Sequence, residues 1–120
     1  PGRRSSFPWA FWDVWPTFAE LAGAEMPGDS DGVSILPTLL GAPQAAREYL
    51  FWTWPGAGGD TSGYAVRAGA WKGIVPHCAP AAGELRPSAG DRMQLYDLDA
   101  DPGEAADVAS TRPDVVAALL

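Results

Sequence analysis

Along FWDVWPTFAELAG, residues 11–23, apolar side chains return at helical spacing, with Val14, Phe18, Leu21 and Ala22 on one face. Asp13 stands where a helix N-cap is expected. Pro16 falls in the first turn, where its missing N–H costs little, and Gly23 is a stop. The same grammar returns in GVSILPTLLGA: Ser34 as cap, Pro37 in the first turn, Gly41 as stop. Between them EMPGDSDG is turn chemistry. Two short helices are predicted.

From Glu48 the pattern changes. YLFWTW is aromatic and strand-like, and the glycine-rich PGAGGDTSG follows it as a loop. YAVRA and WKGIV are separated by Gly69 and Ala70, which predicts a tight hairpin. A Pro/Ala/Gly-rich loop runs from Pro76 to near Arg92, and MQLYDL then alternates as a half-buried strand does. TRPD, from Thr111, has the form of a capping box and opens a last helix. The expected fold class is α+β: an antiparallel sheet of about four strands with a terminal helix, preceded by two short helices. Strand order is not legible from the pattern.

Composition adds limits. Hydrophobic residues make up 47% and charged residues 19% of the 120, which points to a folded chain. Fifteen acids against eight bases give a net charge of −7, with Lys72 the lone lysine and the arginines scattered. That balance disfavours a nucleic-acid partner, which needs a basic patch, and none is expected. No apolar run reaches transmembrane length, so no membrane partner is expected. Cys78 is the single cysteine, which excludes an intrachain disulfide and leaves the compartment undetermined. PGRRSSFPW has no initiating methionine and DVVAALL stops inside a helical pattern, so a piece of a longer chain is expected.

LYDLDADPGEAADVA, residues 95–109, carries Asp97, Asp99, Asp101, Glu104 and Asp107, and the alternating acids suggest a calcium loop. Counted from Asp97, position six is Pro102, which cannot take the positive φ of the turn. Position twelve is Val108, where the bidentate glutamate belongs. No metal site is expected here. Instead Asp101 is read as the cap of a short helix with Pro102 first and Glu104 reaching back as the capping-box acid.

DVWPTFAELAG, DGVSILPTLLG, REYLFWTW, AVRAGAWKGIV and QLYDLDADPGEAADVA, in that order, resemble the C-terminal part of the sulfatases. The chain is similar to that family in a D-x-x-P-T helix, a D-G-x-S-x-x-P segment, an aromatic first strand, a V-R-x-G-x-W-K hairpin and an L-Y-D-L-x-x-D-P-x-E closing motif. The resemblance implies a sulfate-ester hydrolase of the alkaline-phosphatase superfamily, whose α/β catalytic domain is followed by a small antiparallel sheet. On it, residues 1–45 are the tail of the catalytic domain, packing on the missing remainder, and residues 46–120 are the C-terminal sheet subdomain. It also implies a sulfated small molecule or glycan as substrate, with formylglycine and calcium in the parent enzyme.

None of that machinery is expected within this chain. The family's C-x-P-x-R nucleophile motif is met only as CAPAA, with Ala82 in the arginine's place, and Cys78 lies after the hairpin rather than upstream. His77 is the sole histidine, so neither a histidine metal site nor a nucleophile–base pair can be assembled. The catalytic and metal sets are therefore empty and the chain alone should be inactive. Candidates for substrate contact are Trp54, Arg67, Lys72 and His77, each with a plainer alternative. The tryptophans are core packing, the charged pair is matched by nearby acids, and the histidine is a loop residue. Trp9, Trp12 and Trp15 are expected at the junction with the rest of the protein, leaving an apolar patch on the isolated chain. PGAGGDTSG is either part of the pocket rim or a plain connector. Two other readings compete: the same tail on a phosphodiesterase or phosphonate hydrolase, and an independent Trp-rich carbohydrate-binding module.

Overall fold

A computed structural model describes residues 2–26, 28–54, 62–78 and 92–120. They form two compact units, Pro1–Arg47 and Glu48–Leu120.

In the first unit a 3-10 turn, Phe11–Asp13, leads into helix α1, Val14–Ala22. A second short helix, α2, spans Leu36–Leu40. Both end at the predicted glycines: Gly23 and Gly41 have φ of 66° and 78°, where a side chain would be strained. Ser34 Oγ accepts the Leu36 N–H at 3.2 Å, but Ser34 stands two residues ahead of the helix and Ile35 takes the N-cap position expected for it. Asp13 departs from its expected part. Its backbone is already helical and its side chain makes no capping bond to α1. The carboxylate is drawn elsewhere by other donors, as described below.

Of the predicted apolar face of α1, Phe18, Leu21 and Ala22 are exposed and Val14 is half-buried, and Phe11 and Trp15, outside that prediction, extend the exposed patch. Phe11, Trp15, Phe18 and Leu21 are 86%, 61%, 63% and 65% exposed, whereas Pro16 and Thr17 are buried. Trp12 is half-buried. The outward patch anticipated from the tryptophan-rich start is present.

The second unit is a four-stranded antiparallel meander in the order β1-β2-β3-β4, with β1 Leu50–Trp54, β2 Ser62–Ala68, β3 Trp71–Cys78 and β4 Gln94–Asp97. Gly69, at φ 58°, makes the β2–β3 turn as predicted. Residues before and after that turn face each other, Ala68 with Trp71 and Arg67 with Lys72. The register slips once, between the Tyr64–Val75 and Ser62–Cys78 pairs. There Pro76 and His77 together face Gly63, and a bulge suits a proline that has no N–H to give the ladder.

One face of the sheet carries the core. Tyr64, Val66, Val75, Cys78 and Met93 cluster there, with Phe51, Val116, Leu119 and Leu120 packed against them. The last three come from α3, Pro113–Leu119, and the residue after it, so the terminal helix covers that face. Phe51 and Tyr64 stack at 5.7 Å between centroids. The helix begins at Pro113, not at a Thr111 capping box: the Thr111 hydroxyl donates to the Val108 carbonyl and Asp114 pairs with Arg112. Among the described residues no helix is long and apolar enough to cross a membrane.

Candidate functional site

The meander separates the four candidate residues. Arg67 and Lys72 face each other beside the β2–β3 turn, while Trp54 faces Gly63 at the far end of the same ribbon. His77 shares Trp54's end by its backbone position in β3, its side chain lying outside what the structure describes. Four residues along β1 separate the Leu50–Arg67 pair from the Trp54–Gly63 pair, or about 13 Å at strand rise. The four do not converge on one site.

At the turn end the cations are engaged within the chain. Lys72 Nζ donates to Glu104 Oε1 at 2.6 Å, a half-buried pair, and Arg67 Nε donates to the Gly69 carbonyl at 3.3 Å. Like charges directly across a ladder repel, so Glu104 offsets a built-in cost. Glu104 reaches this position with φ 55°, rare for a side chain longer than asparagine's. That corrects the capping-box reading: residues 98–112 hold no helix, and Glu104 turns to Lys72 instead of back to its own segment.

Other acids of the run are spent on backbone donors. Asp97 Oδ1 accepts the N–H groups of Asp99 and Ala100; Asp101 Oδ2 accepts those of Ala105 and Ala106. Asp107 Oδ1 accepts from Leu95 at 3.0 Å and from Ala109 at 2.9 Å, and the Val108 N–H donates to the Leu95 carbonyl. Asp101 thus caps as expected, although it caps a turn and not a helix. Tyr96 lies beneath these groups. Burial pushes its phenol above the usual tyrosine range, and the charges of Asp107, Glu104 and Asp101 add to that.

Trp54, 37% exposed, lays its indole over the flat surface of Gly63, where a Cβ would come within 2.4 Å of the ring. The glycine is needed for room there. At the α3 end, Arg112 lies over the Trp71 ring at 4.7 Å and pairs with Asp114 at 2.9 Å.

The densest polar constellation was not anticipated as such. Asp13 is fully buried and its carboxylate accepts three hydrogen bonds: from the Ala10 N–H at 2.8 Å, the Val33 N–H at 2.9 Å and Arg47 Nη2 at 2.6 Å. One turn later Thr17 Oγ1 donates to the Asp13 carbonyl and accepts the Ile35 N–H at 3.0 Å. The D-x-x-P-T spacing therefore places two acceptors on one side of α1, where they hold the backbone of residues 33–35. Pro16 lies against the same segment, its ring 3.1 Å from the point where a Gly32 Cβ would lie. The i, i+4 spacing of Asp13 and Thr17 was the available signal.

The residues present do not fit the groups that the sulfatase resemblance implies. Cys78 is buried in the core cluster of the sheet, 7% exposed, rather than set in a cleft as a nucleophile precursor. Among the described residues no three His, Cys, Asp or Glu side chains are gathered to hold a metal ion.

The fold and these motifs recur in known proteins. Steryl-sulfatase of Mus musculus is 34% identical over 121 residues, covering 87% of this chain and 19% of that protein. Arylsulfatase A of Homo sapiens is 35% identical over 126 residues, covering 89% of this chain and 24% of that protein. In structure, a 2-O GAG sulfatase matches with TM-score 0.66 and 28% identity, over 88% of this chain and 21% of that one. This chain belongs to the sulfatase family. It is a sulfatase C-terminal region, and it spans about a fifth of the length of the curated sulfatases it matches. No protein-family profile matches it. A phosphonate monoester hydrolase of Agrobacterium radiobacter, TM-score 0.59 at 24% identity, shares the sulfatase C-terminal fold alone.

Proposed function

We propose that these residues form the part of a sulfate-ester hydrolase that completes its fold and borders its substrate pocket. The hydrolytic groups, formylglycine and calcium, would be held by residues outside the 120. The supporting observation is that five sulfatase motifs account for nearly every described element of the structure. A sulfated glycan is the substrate class we favour. Among the proteins similar to this chain is an N-acetylgalactosamine-6-O-sulfatase of Bacteroides thetaiotaomicron, 34% identical over 112 residues.

Of the four candidates we assign the pocket border to the end that carries Trp54 and His77. Trp54 offers an indole face there that a sugar ring can cover; the PGAGGDTSG rim reading falls mostly on residues outside those the structure describes. The opposite end, where Lys72 is matched by Glu104 and Arg67 by the Gly69 carbonyl, is structural.

The decisive experiment is an assay of the complete polypeptide with sulfate, phosphate and phosphonate esters, alongside the 120-residue chain. Sulfate-ester turnover by the former and none by the latter is expected. Preferential phosphonate turnover would transfer the assignment to the hydrolase that shares the fold. Trp54→Ala in the complete polypeptide should raise KM for a glycan sulfate and leave a small aryl sulfate unaffected; equal effects on both would remove Trp54 from the border.

A further inference from the structure

We propose that the open edge of β1 pairs with β1 of a second copy of this protein, joining two sheets into one of eight strands about a twofold axis at Trp52. The pairing stands apart from the sulfatase reading and uses none of its chemistry.

The ladder shows which backbone groups are open. Leu95 gives its N–H to Asp107 and its carbonyl to the Val108 N–H, so both groups point away from β3. In an antiparallel ladder that direction alternates from residue to residue. Gly73, opposite Leu95, therefore turns toward β2, and Val66, opposite Gly73, turns toward β3. Phe51, opposite Val66, turns outward, and so does Thr53 two residues on. Neither has an outward backbone partner among the described residues, and β1 is the first strand of the sheet order.

Three observations select a second copy as the occupant. Residues 49–59 carry no charge, whereas the whole chain carries −7, so this edge is where two copies approach with least repulsion. The strand is also complementary to itself. With Trp52 opposite Trp52 of the copy, Phe51 of each chain faces Thr53 of the other, and the two pairs exchange four N–H···O bonds. Leu50 then faces Trp54, and the two Trp52 residues meet in the closer, non-hydrogen-bonded arrangement. Finally, assembly stops at two. At the β4 edge the outward groups of Leu95 are taken by Asp107 and Val108, and the Asp97 carbonyl accepts the Asp101 N–H. The joined sheet is thus closed at both ends. A foreign strand could make the backbone bonds but would lack the matched side-chain pairs. A contact one strand of five residues long, about 17 Å, buries less than stable dimers need, so the association is weak and reversible.

Sedimentation velocity of the complete polypeptide across micromolar concentrations reads the association. A monomer–dimer equilibrium with no larger species is expected. Thr53→Pro deletes two of the four donors and takes no bond from β2, because that N–H points outward; it should raise the dimer Kd about tenfold or more. Thr53→Lys sets a charge at an exposed edge position without altering the backbone and should act in the same direction, which decides the matter if the proline variant does not fold. Mild oxidation reads the register. Trp52→Cys should cross-link two copies, since residues opposed in a non-hydrogen-bonded pair have Cα atoms about 4.5 Å apart; Thr53→Cys, set diagonally from its copy, should not. A monomer at every concentration overturns the proposal, whether the edge stays bare or other residues of the same polypeptide take it. So does a dimer that both Thr53→Pro and Thr53→Lys leave intact, a dimer that Trp52→Cys does not cross-link, or growth beyond two copies.

Discussion

Replacing Asp13 by alanine should unfold the first unit and leave the sheet standing. The carboxylate is wholly buried and accepts from the Ala10 and Val33 N–H groups and from Arg47, whose own side chain is 10% exposed. Removing one partner of a buried ion pair costs about 3–5 kcal/mol, because the other charge remains out of water. Two buried N–H groups also lose their acceptor, at about 1–3 kcal/mol each before relaxation. Arg47 Nε already lacks a hydrogen-bond partner among the described residues, so the guanidinium has little to fall back on. The costs overlap, and about 4 kcal/mol is a fair central value. A whole domain commonly has about 5–15 kcal/mol in hand. Native-state amide exchange reads both units in one sample. In Asp13→Ala the Val33 and Ile35 amides should lose protection by about a thousandfold, which is 4 kcal/mol at 1.4 per decade. The Tyr64 and Val75 amides should keep theirs. Asp13→Ala combined with Arg47→Met should cost less than the sum of the single changes, since neither charge is then stranded. Strict additivity, or a loss below about 1 kcal/mol for Asp13→Ala, would refute the account of a buried latch.

Four further outcomes are expected. Glu104→Ala should destabilise by about 0.5–1 kcal/mol through loss of the half-buried Lys72 pair, whereas Glu104→Gly should be near neutral because glycine relieves the positive φ; chemical denaturation separates the two. Gly63→Ala should push the Trp54 ring off the strand and change tryptophan emission, since the new Cβ has 2.4 Å where it needs more than 3. Tyr96 has a native pKa above its unfolded value, so its contribution is complete below about pH 10 and is lost as pH rises through the raised value; Tyr96→Phe should flatten that alkaline fall in melting temperature. Millimolar calcium should not shift the melting of the 120-residue chain, and a rise of several degrees would restore a metal role to the Asp97–Asp107 run.

The local grammar of the chain was legible where a single residue decides. Gly23, Gly41 and Gly69 each take the left-handed backbone that their positions in the pattern called for. The strands followed from alternation and aromatic content, and the meander order only from the fold. Other features depended on distant partners. The periodicity of α1 identified an apolar face, but a face is buried only if something covers it, and among the described residues Phe18 and Leu21 stay mostly exposed. Asp13 has the sequence position of a helix cap, yet the Val33 amide and Arg47, 20 and 34 residues away, claim its carboxylate. Glu104 could not be matched to Lys72 without knowing that the closing segment returns beside the β2–β3 hairpin. The substrate candidates were chosen by residue type, and register alone divides them between two ends of the sheet.

The closing segment has a consequence for solubility. A sheet of four strands ends in edges whose free amides and carbonyls can recruit strands from other molecules, and natural proteins cover or interrupt such edges. On β4 the outward N–H and C=O of Leu95 are taken by the Asp107 carboxylate and the Val108 amide. Strand addition at that point would have to displace both. A run of acids that first suggests ion binding thus ends up guarding an edge, and Asp107→Ala should favour fibrillar assembly before it measurably weakens the fold.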